Sequence, residues 1–266
     1  MADKSPAGGY TLGNTDAEHE RLARQAAIFN PITERLFRAA GIGPGQRVLD
    51  LGSGAGDVAM LVANLVGPSG EVVGFERHEG SIQRARERCA QAGLRNVTFR
   101  QGDVAEVAGE RLFDAAVGRW ILMFVPDPIA VVRAASAMVR PGGAVAFHEV
   151  SWESFLSRTA SLPLTGAAVR LMRAAFVATG ANIEMGYALR GVFEGAGLPL
   201  PVLHMETLLG AEAEFSRWLT DTVKSVLPHI DPANPLLEAV GDLATLAART
   251  LDEMQRDNAV IAWISM

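Results

Sequence analysis

Residues 50–57, Asp-Leu-Gly-Ser-Gly-Ala-Gly-Asp, set three glycines at alternate positions between two carboxylates. The apolar run before them and the helical pattern after them read as strand, tight turn and helix N-terminus. Nucleotide-type ligands approach such a turn. A dinucleotide site calls for Gly-x-Gly-x-x-Gly, with pyrophosphate at the helix start. Here Asp57 stands at the third position, where a carboxylate would face two negative phosphates. A ligand with adenosine and no phosphate meets no such repulsion. Twenty residues after Gly56, Glu76 ends the run EVVGFE, where a carboxylate can accept both hydroxyls of a ribose.

Three further segments continue the pattern. Residues 96–103 (NVTFRQGD) read as a third strand running into Gly102-Asp103, and residues 113–118 (FDAAVG) as a fourth. Residues 140–150 (RPGGAVAFHEV) read as a turn and a fifth strand. The Asp-x-Gly-x-Gly-x-Gly motif, the strand-end acid, the Gly-Asp and the late Pro-Gly-Gly, in this order, resemble the class I S-adenosylmethionine (SAM) dependent methyltransferases of small-molecule type. The resemblance covers residues 46–150. It implies an α/β fold, a Rossmann-like, mostly parallel seven-stranded sheet with helices on both faces, and SAM as cofactor. By the same resemblance Asp50, Gly52, Ser53, Gly54 and Gly56 form the donor turn, with Glu76 and Arg77 at the ribose. Asp103, after Gly102, takes the adenine amino group, and the Val104 N–H a ring nitrogen. Gly118 offers its carbonyl to the amino group of the donor, beside Arg119 and Trp120, and Tyr10 and Gln25 close over the methionine end. Taken singly, each has a plainer reading. The glycines could be a simple connection, Glu76 a solvated strand end, Asp103 a helix cap, and Asp50 a cap for the loop amides.

Methyl transfer from a sulfonium is an in-line displacement from a donor already activated, so the protein chiefly orients the reactants and excludes water. No metal is called for, and no His-x-x-x-His or Cys-x-x-Cys spacing occurs. A base helps only for a hydroxyl or an acidic carbon. The candidates are His148 and, second, Glu149, at the end of the fifth strand; alternation turns them to opposite faces. Histidine suits because free imidazole titrates near working pH. Residues 118–123 (GRWILM) lack the Asn/Asp-Pro-Pro-aromatic sequence of base-directed amino methyltransferases, which favours O- or C-methylation of a small, largely apolar molecule. Two other functions stay open: a nicotinamide-dependent oxidoreductase, and a SAM-binding protein that does not methylate, cyclase-like or regulatory.

The elements that must position these residues follow from the rest of the chain. Its 266 residues, 49% hydrophobic, suit one α/β domain overall. Residues 1–45 read as N-terminal helices, one over 15–29 and a second started by Pro31; residues 46–150 as the SAM-binding core; residues 151–266 as helical lid insertions with closing antiparallel strands. Residues 201–209 and 258–266 are the expected closing strands. Residues 155–180 and 212–256 are long enough as insertions to be functional. The net charge of -6 disfavours nucleic acid, which needs a basic face. No apolar run reaches the roughly 18 residues of a membrane span, and the first ten residues hold no apolar signal core, so a cytoplasmic protein is expected. The single cysteine, Cys89, leaves no disulfide framework or cysteine metal cluster. The apolar inserted helices could support a homodimer.

Overall fold

The computed structural model describes residues 16–102 and 112–266. Helix α1 (Asp16–Ala39) leads into β1 (Arg47–Leu51), α2 (Asp57–Val66), β2 (Glu71–Glu76), α3 (Glu79–Gln91) and β3 (Val97–Gln101). After residues 103–111 come β4 (Phe113–Arg119), a 3-10 turn (Leu122–Phe124), α4 (Pro128–Ala137), β5 (Val139–His148) and β6 (Val150–Ser151). Then follow α5 (Glu153–Thr159), α6 (Pro163–Ala178), α7 (Met185–Gly195), β7 (Glu206–Gly210), α8 (Ala213–Val226), α9 (Leu236–Val240), α10 (Leu246–Arg256) and β8 (Ile261–Ser265). No helix among the described residues is long and apolar enough to cross a membrane.

Five strands form one parallel sheet in the order β3-β2-β1-β4-β5. All five residues of β1 are buried, as a central strand covered on both faces requires. Val58, Ala59, Leu61, Val62, Leu65 and Val66 of α2 are buried in one core cluster with Val48 and Val72 of the sheet. Full burial of a Val or Leu side chain is worth about 1.5–3 kcal/mol, so this face alone holds α2 on the sheet. The register is what matters for function. Leu51 lies opposite Phe75 and Gly118, Phe75 opposite Arg100, and Gly118 opposite Phe147. One step further, at the level of Gly52, stand Glu76, Gln101, Arg119 and His148, with Glu76 paired to Gln101 and Arg119 to His148. The sheet therefore delivers the chemistry-bearing residues in a single row at its carboxyl edge.

The expected seven-stranded sheet is instead a five-stranded sheet and a separate three-stranded set in the order β6-β8-β7. The division falls at Glu149. The β4–β5 ladder ends at Arg119–His148, because Trp120 leaves the strand with φ +53°. Glu149 is then met by the chain end, its N–H donating to the Met266 carbonyl at 2.7 Å and its carbonyl accepting from the Met266 N–H at 2.9 Å. Val150 and Ser151 continue antiparallel to Ser265 and Ile264. Residues 201–205 form no strand; the β7 run begins only at Glu206.

Pro31 lies within α1 and does not start a second helix. It removes one N–H from the ladder. Burial of Phe29, Ile32, Thr33 and Phe37 on the flanking turns offsets that loss. Residues 236–256 form two helices, α9 and α10, and α9 ends at Gly241 with φ +65°.

The chain divides into two compact units, each discontinuous in sequence. Of the described residues, one comprises 16–21, Trp152–Ile183 and Thr207–Trp263; the other those within Leu22–Ser151, Glu184–Glu206 and Ile264–Met266. The first is mainly helical. Its core is aromatic: Phe155 packs edge-on to Trp152 at 5.9 Å and to Trp263 at 4.9 Å, and Trp218 lies 5.0 Å from Trp263. Glu253 of α10 accepts the Leu164 and Thr165 N–H groups at 2.7 Å each, capping the start of α6 from another helix. The second unit holds the parallel sheet and every described residue of the candidate site.

Candidate active site

The turn after β1 runs left-handed at Gly52, Gly54 and Gly56, with φ +64°, +50° and +87°. Only glycine enters that region without strain. The three have different surroundings. A Cβ on Gly52 would stand 2.5 Å from Ile121 Cδ1, and one on Gly56 would stand 3.0 Å from the Ala85 Cβ. A Cβ on Gly54 would meet nothing within 4 Å. Gly52 and Gly56 thus serve close packing, and Gly54 borders open space. Ser53 is buried and its N–H donates to the Phe75 carbonyl at 3.0 Å, tying the turn to β2.

Glu76 reaches this turn. Its Oε2 accepts the Gly54 N–H at 2.9 Å, and its Oε1 accepts the Arg77 and His78 N–H groups at 2.8 and 3.0 Å. Arg77 is exposed. The Gly102 N–H donates to the Glu76 carbonyl at 3.1 Å, so the end of β3 joins the same corner. Asp103, Val104 and Tyr10 lie outside the described residues. Asp50 is 1% exposed, and among the described residues neither carboxylate oxygen has a partner within hydrogen-bond geometry, the Ala59 N–H giving it only weak support. Burial pushes its carboxyl well above the ordinary range, with Arg119 pulling the other way. A buried carboxyl without a donor is costly and marks a place where a donor belongs.

Asp57 does not carry the charge argument that its position invites. Its Oδ1 accepts from Arg88 Nη2 at 2.6 Å, while Arg88 Nη1 donates to the Ala55 carbonyl at 2.7 Å. The pair is largely buried, so the carboxylate is neutralised locally and its repulsion of phosphate is blunted.

At the ends of β4 and β5 the row is crossed by α1. Arg119 Nη1 donates to Asn30 Oδ1 at 2.7 Å and to Thr33 Oγ1 at 3.0 Å. His148 is fully buried; its Nδ1 lies 2.9 Å from Thr33 Oγ1, and its Nε2 has no hydrogen-bond partner among the described residues. Burial, with Arg119 nearby, lowers the imidazole pKa to about 3. His148 is therefore neutral across the working range, and near-neutral titration, the reason for naming it as a base, does not hold. It also lines a cavity of ≈150 Å³ with Ile32 and Leu36 of α1, and with Ser265 and Met266. Gln25 is buried on the same helix. The Trp120 ring packs edge-on to Phe29 at 4.7 Å and lies 6.2 Å from the His148 ring.

Glu149, the residue between β5 and β6, is fully buried as well. Its Oε1 accepts the Ile121 and Leu122 N–H groups at 3.0 and 2.8 Å; its Oε2 has no partner within hydrogen-bond geometry among the described residues, with the Met123 N–H adding only a weaker pull. Burial raises its pKa to about 8, against the pull of those amides. Asn30, Thr33, Arg88, Ile121 and Met266 are neighbours that sequence reasoning missed. Only long-range packing brings them to the row, and no local spacing announces it.

The match with known proteins agrees with this geometry. The model of the methyltransferase domain family matches residues 42–182, more than half of the chain, and the protein belongs to that family. An arsenite methyltransferase of Halobacterium salinarum is 35% identical over 159 residues, 56% of this chain and 41% of that protein. Aklanonic acid methyltransferase DauC of a Streptomyces species is 34% identical over 135 residues, 50% of this chain and 60% of that one. The chain spans about half the length of the curated relatives it matches. In structure it is similar to a candidate methyltransferase from Bacillus halodurans C-125, with TM-score 0.56 and 17% identity over 87% of this chain and 93% of the other. That likeness concerns the Rossmann-like fold alone. The cofactor of the family is SAM, and the open Gly54, the Glu76 carboxylate against it and the orphaned Asp50 fit such a ligand.

Proposed function

We propose that this chain transfers a methyl group from SAM to a small, largely apolar acceptor, by O- or C-methylation. The observation that carries the reading is Gly54, left-handed and bordering open space, with its amide turned to a strand-end carboxylate. On this reading Asp50, Gly52, Ser53, Gly54 and Gly56 would line the donor, Glu76 and Arg77 would hold the ribose, and Gly102, with Asp103 and Val104, would take the adenine. Gly118, Arg119, Trp120, Gln25 and Tyr10 would hold the methionine end. When bound, the donor supplies a methyl group already activated on a sulfonium. The chain's own work is to orient and to exclude water. His148 would act as a neutral acceptor of a hydrogen bond through an imidazole nitrogen, and Glu149 would take a proton only near its raised pKa of about 8.

Acceptor chemistry follows from composition. Arsenite, the acceptor named for the Halobacterium relative, is soft and is held by thiolates. This chain has one cysteine, Cys89, which is buried with its thiol pushed up by burial. A carbon-framed acceptor fits better. The test is incubation of the protein and SAM with a panel of hydroxylated aromatic and quinol compounds. Expected are release of S-adenosylhomocysteine and a product heavier by one methyl group. Turnover with arsenite alone would overturn the carbon-framed reading, and an unchanged acceptor mass would overturn methyl transfer.

A further inference from the structure

We propose that Glu149 is a positioning residue for the donor loop, acting through the turn at residues 120–122. The proposal rests on the glycine turn being the SAM site. Glu149 is fixed at its backbone by the two hydrogen bonds exchanged with Met266, at 2.7 and 2.9 Å. From that anchor its side chain holds two successive amides on one oxygen, Ile121 at 3.0 Å and Leu122 at 2.8 Å. The amide before them, Trp120, donates to the His148 carbonyl at 2.9 Å. Three consecutive N–H groups are thus pinned by two adjacent residues of one strand end.

The turn needs that hold. Trp120 sits at φ +53°, a region that a residue with a bulky side chain enters at a cost and keeps only when its surroundings over-determine it. The strain has a use. It drives the Ile121 side chain between the end of β4 and the donor loop, where the chain has left room only by using glycine. A Cβ on Gly52 would be 2.5 Å from Ile121 Cδ1, and one on Gly118 would be 2.7 Å from Ile121 Cγ2. Ile121 is a wedge that sets where Gly52 lies, and Gly52 opens the turn that carries Gly54. A carboxyl oxygen can accept two amides at once, whereas a smaller side chain at 149 would leave both without that partner.

The experiment reads S-adenosylhomocysteine affinity by titration calorimetry, with no acceptor required. Glu149→Ala should weaken binding about tenfold, and Glu149→Gln, whose amide oxygen can accept the same two N–H groups, should stay within about threefold of wild type. Ile121→Ala removes the wedge and leaves Glu149 in place; it should weaken binding to a similar degree. The double variant should bind no more weakly than Glu149→Ala alone, because both changes break one linkage. Additive losses, an unaltered affinity in Glu149→Ala, or no rescue by Gln would each overturn the positioning role. Wild-type protein that fails to bind S-adenosylhomocysteine would instead overturn the donor-site reading, and the proposal with it.

Discussion

Replacing Glu149 by Gln should stabilise the protein at neutral pH and leave it unimproved in acid. The carboxyl has an ordinary pKa of 4.5 and is raised to about 8 in the fold by burial. Between those values the folded chain keeps a proton that the unfolded chain gives up. The stability contributed is therefore complete below pH 4.5 and is lost as pH rises toward 8. The slope is about 1.4 kcal/mol per pH unit for one group. From pH 5 to pH 7 the wild type should lose ~3 kcal/mol through this group, while the amide variant loses nothing there. Glutamine also accepts the Ile121 and Leu122 N–H groups, so the turn is kept. Urea unfolding of both proteins at pH 5, 6 and 7 gives the difference at each pH, in which titrations common to both cancel, Asp50 and His148 included. A difference that grows by ~1.4 kcal/mol per unit supports the buried neutral carboxyl. A difference independent of pH would refute it and show Glu149 ionised in the fold.

His148 should behave with the opposite sign. Its folded pKa of about 3 lies below the ordinary 6.5, so its contribution is complete above 6.5 and lost as pH falls toward 3. Nitrogen NMR of the labelled imidazole should show a neutral ring at pH 5, and a midpoint near 6.5 would contradict that. Gly54→Val should leave the circular dichroism spectrum of a folded protein and abolish S-adenosylhomocysteine binding, since the branched side chain occupies the open place; normal binding would remove the turn from the site. Glu76→Ala should weaken the same ligand by on the order of ten- to a hundredfold through lost charge-assisted bonds, and unchanged affinity would sink the ribose assignment.

How much of this was legible depends on whether a residue's role is local. The five parallel strands could be read because each is a short apolar run closed by a turn signal, and β1 needs no partner to be recognised. Glu76 and the glycine turn could be paired in advance because a fixed number of residues, one helix and one strand, separates them. The expected seven-stranded sheet is not formed because the end of a strand is decided by its neighbour. β5 parts from β4 where Trp120 turns left-handed, and nothing in Gly118-Arg119-Trp120 announces a positive φ at a tryptophan. Pro31 departs from its expected role for a related reason. Proline signals a helix start locally, but the cost of an interior proline is met by tertiary burial of its neighbours. The charge on Asp57 looked decisive in sequence and is cancelled by Arg88, thirty-one residues on.

The two ionisable neighbours at the end of β5 show what tertiary surroundings add. In sequence His148-Glu149 reads as a base beside an acid, both charged or chargeable at working pH. In the fold the imidazole is held neutral by burial and by Arg119, and the carboxyl is held protonated until about pH 8. Near pH 7 these two side chains carry almost no charge of their own, and Arg119, opposite His148, is the cation of the row. Transfer of a methyl group from a sulfonium disperses positive charge as the bond to sulfur breaks, so a dry surrounding favours the transition state over the reactant. On the proposed reading, burial at this strand end would serve the chemistry directly. The same burial that removes His148 as a titrating base would lower the barrier for an acceptor that needs none.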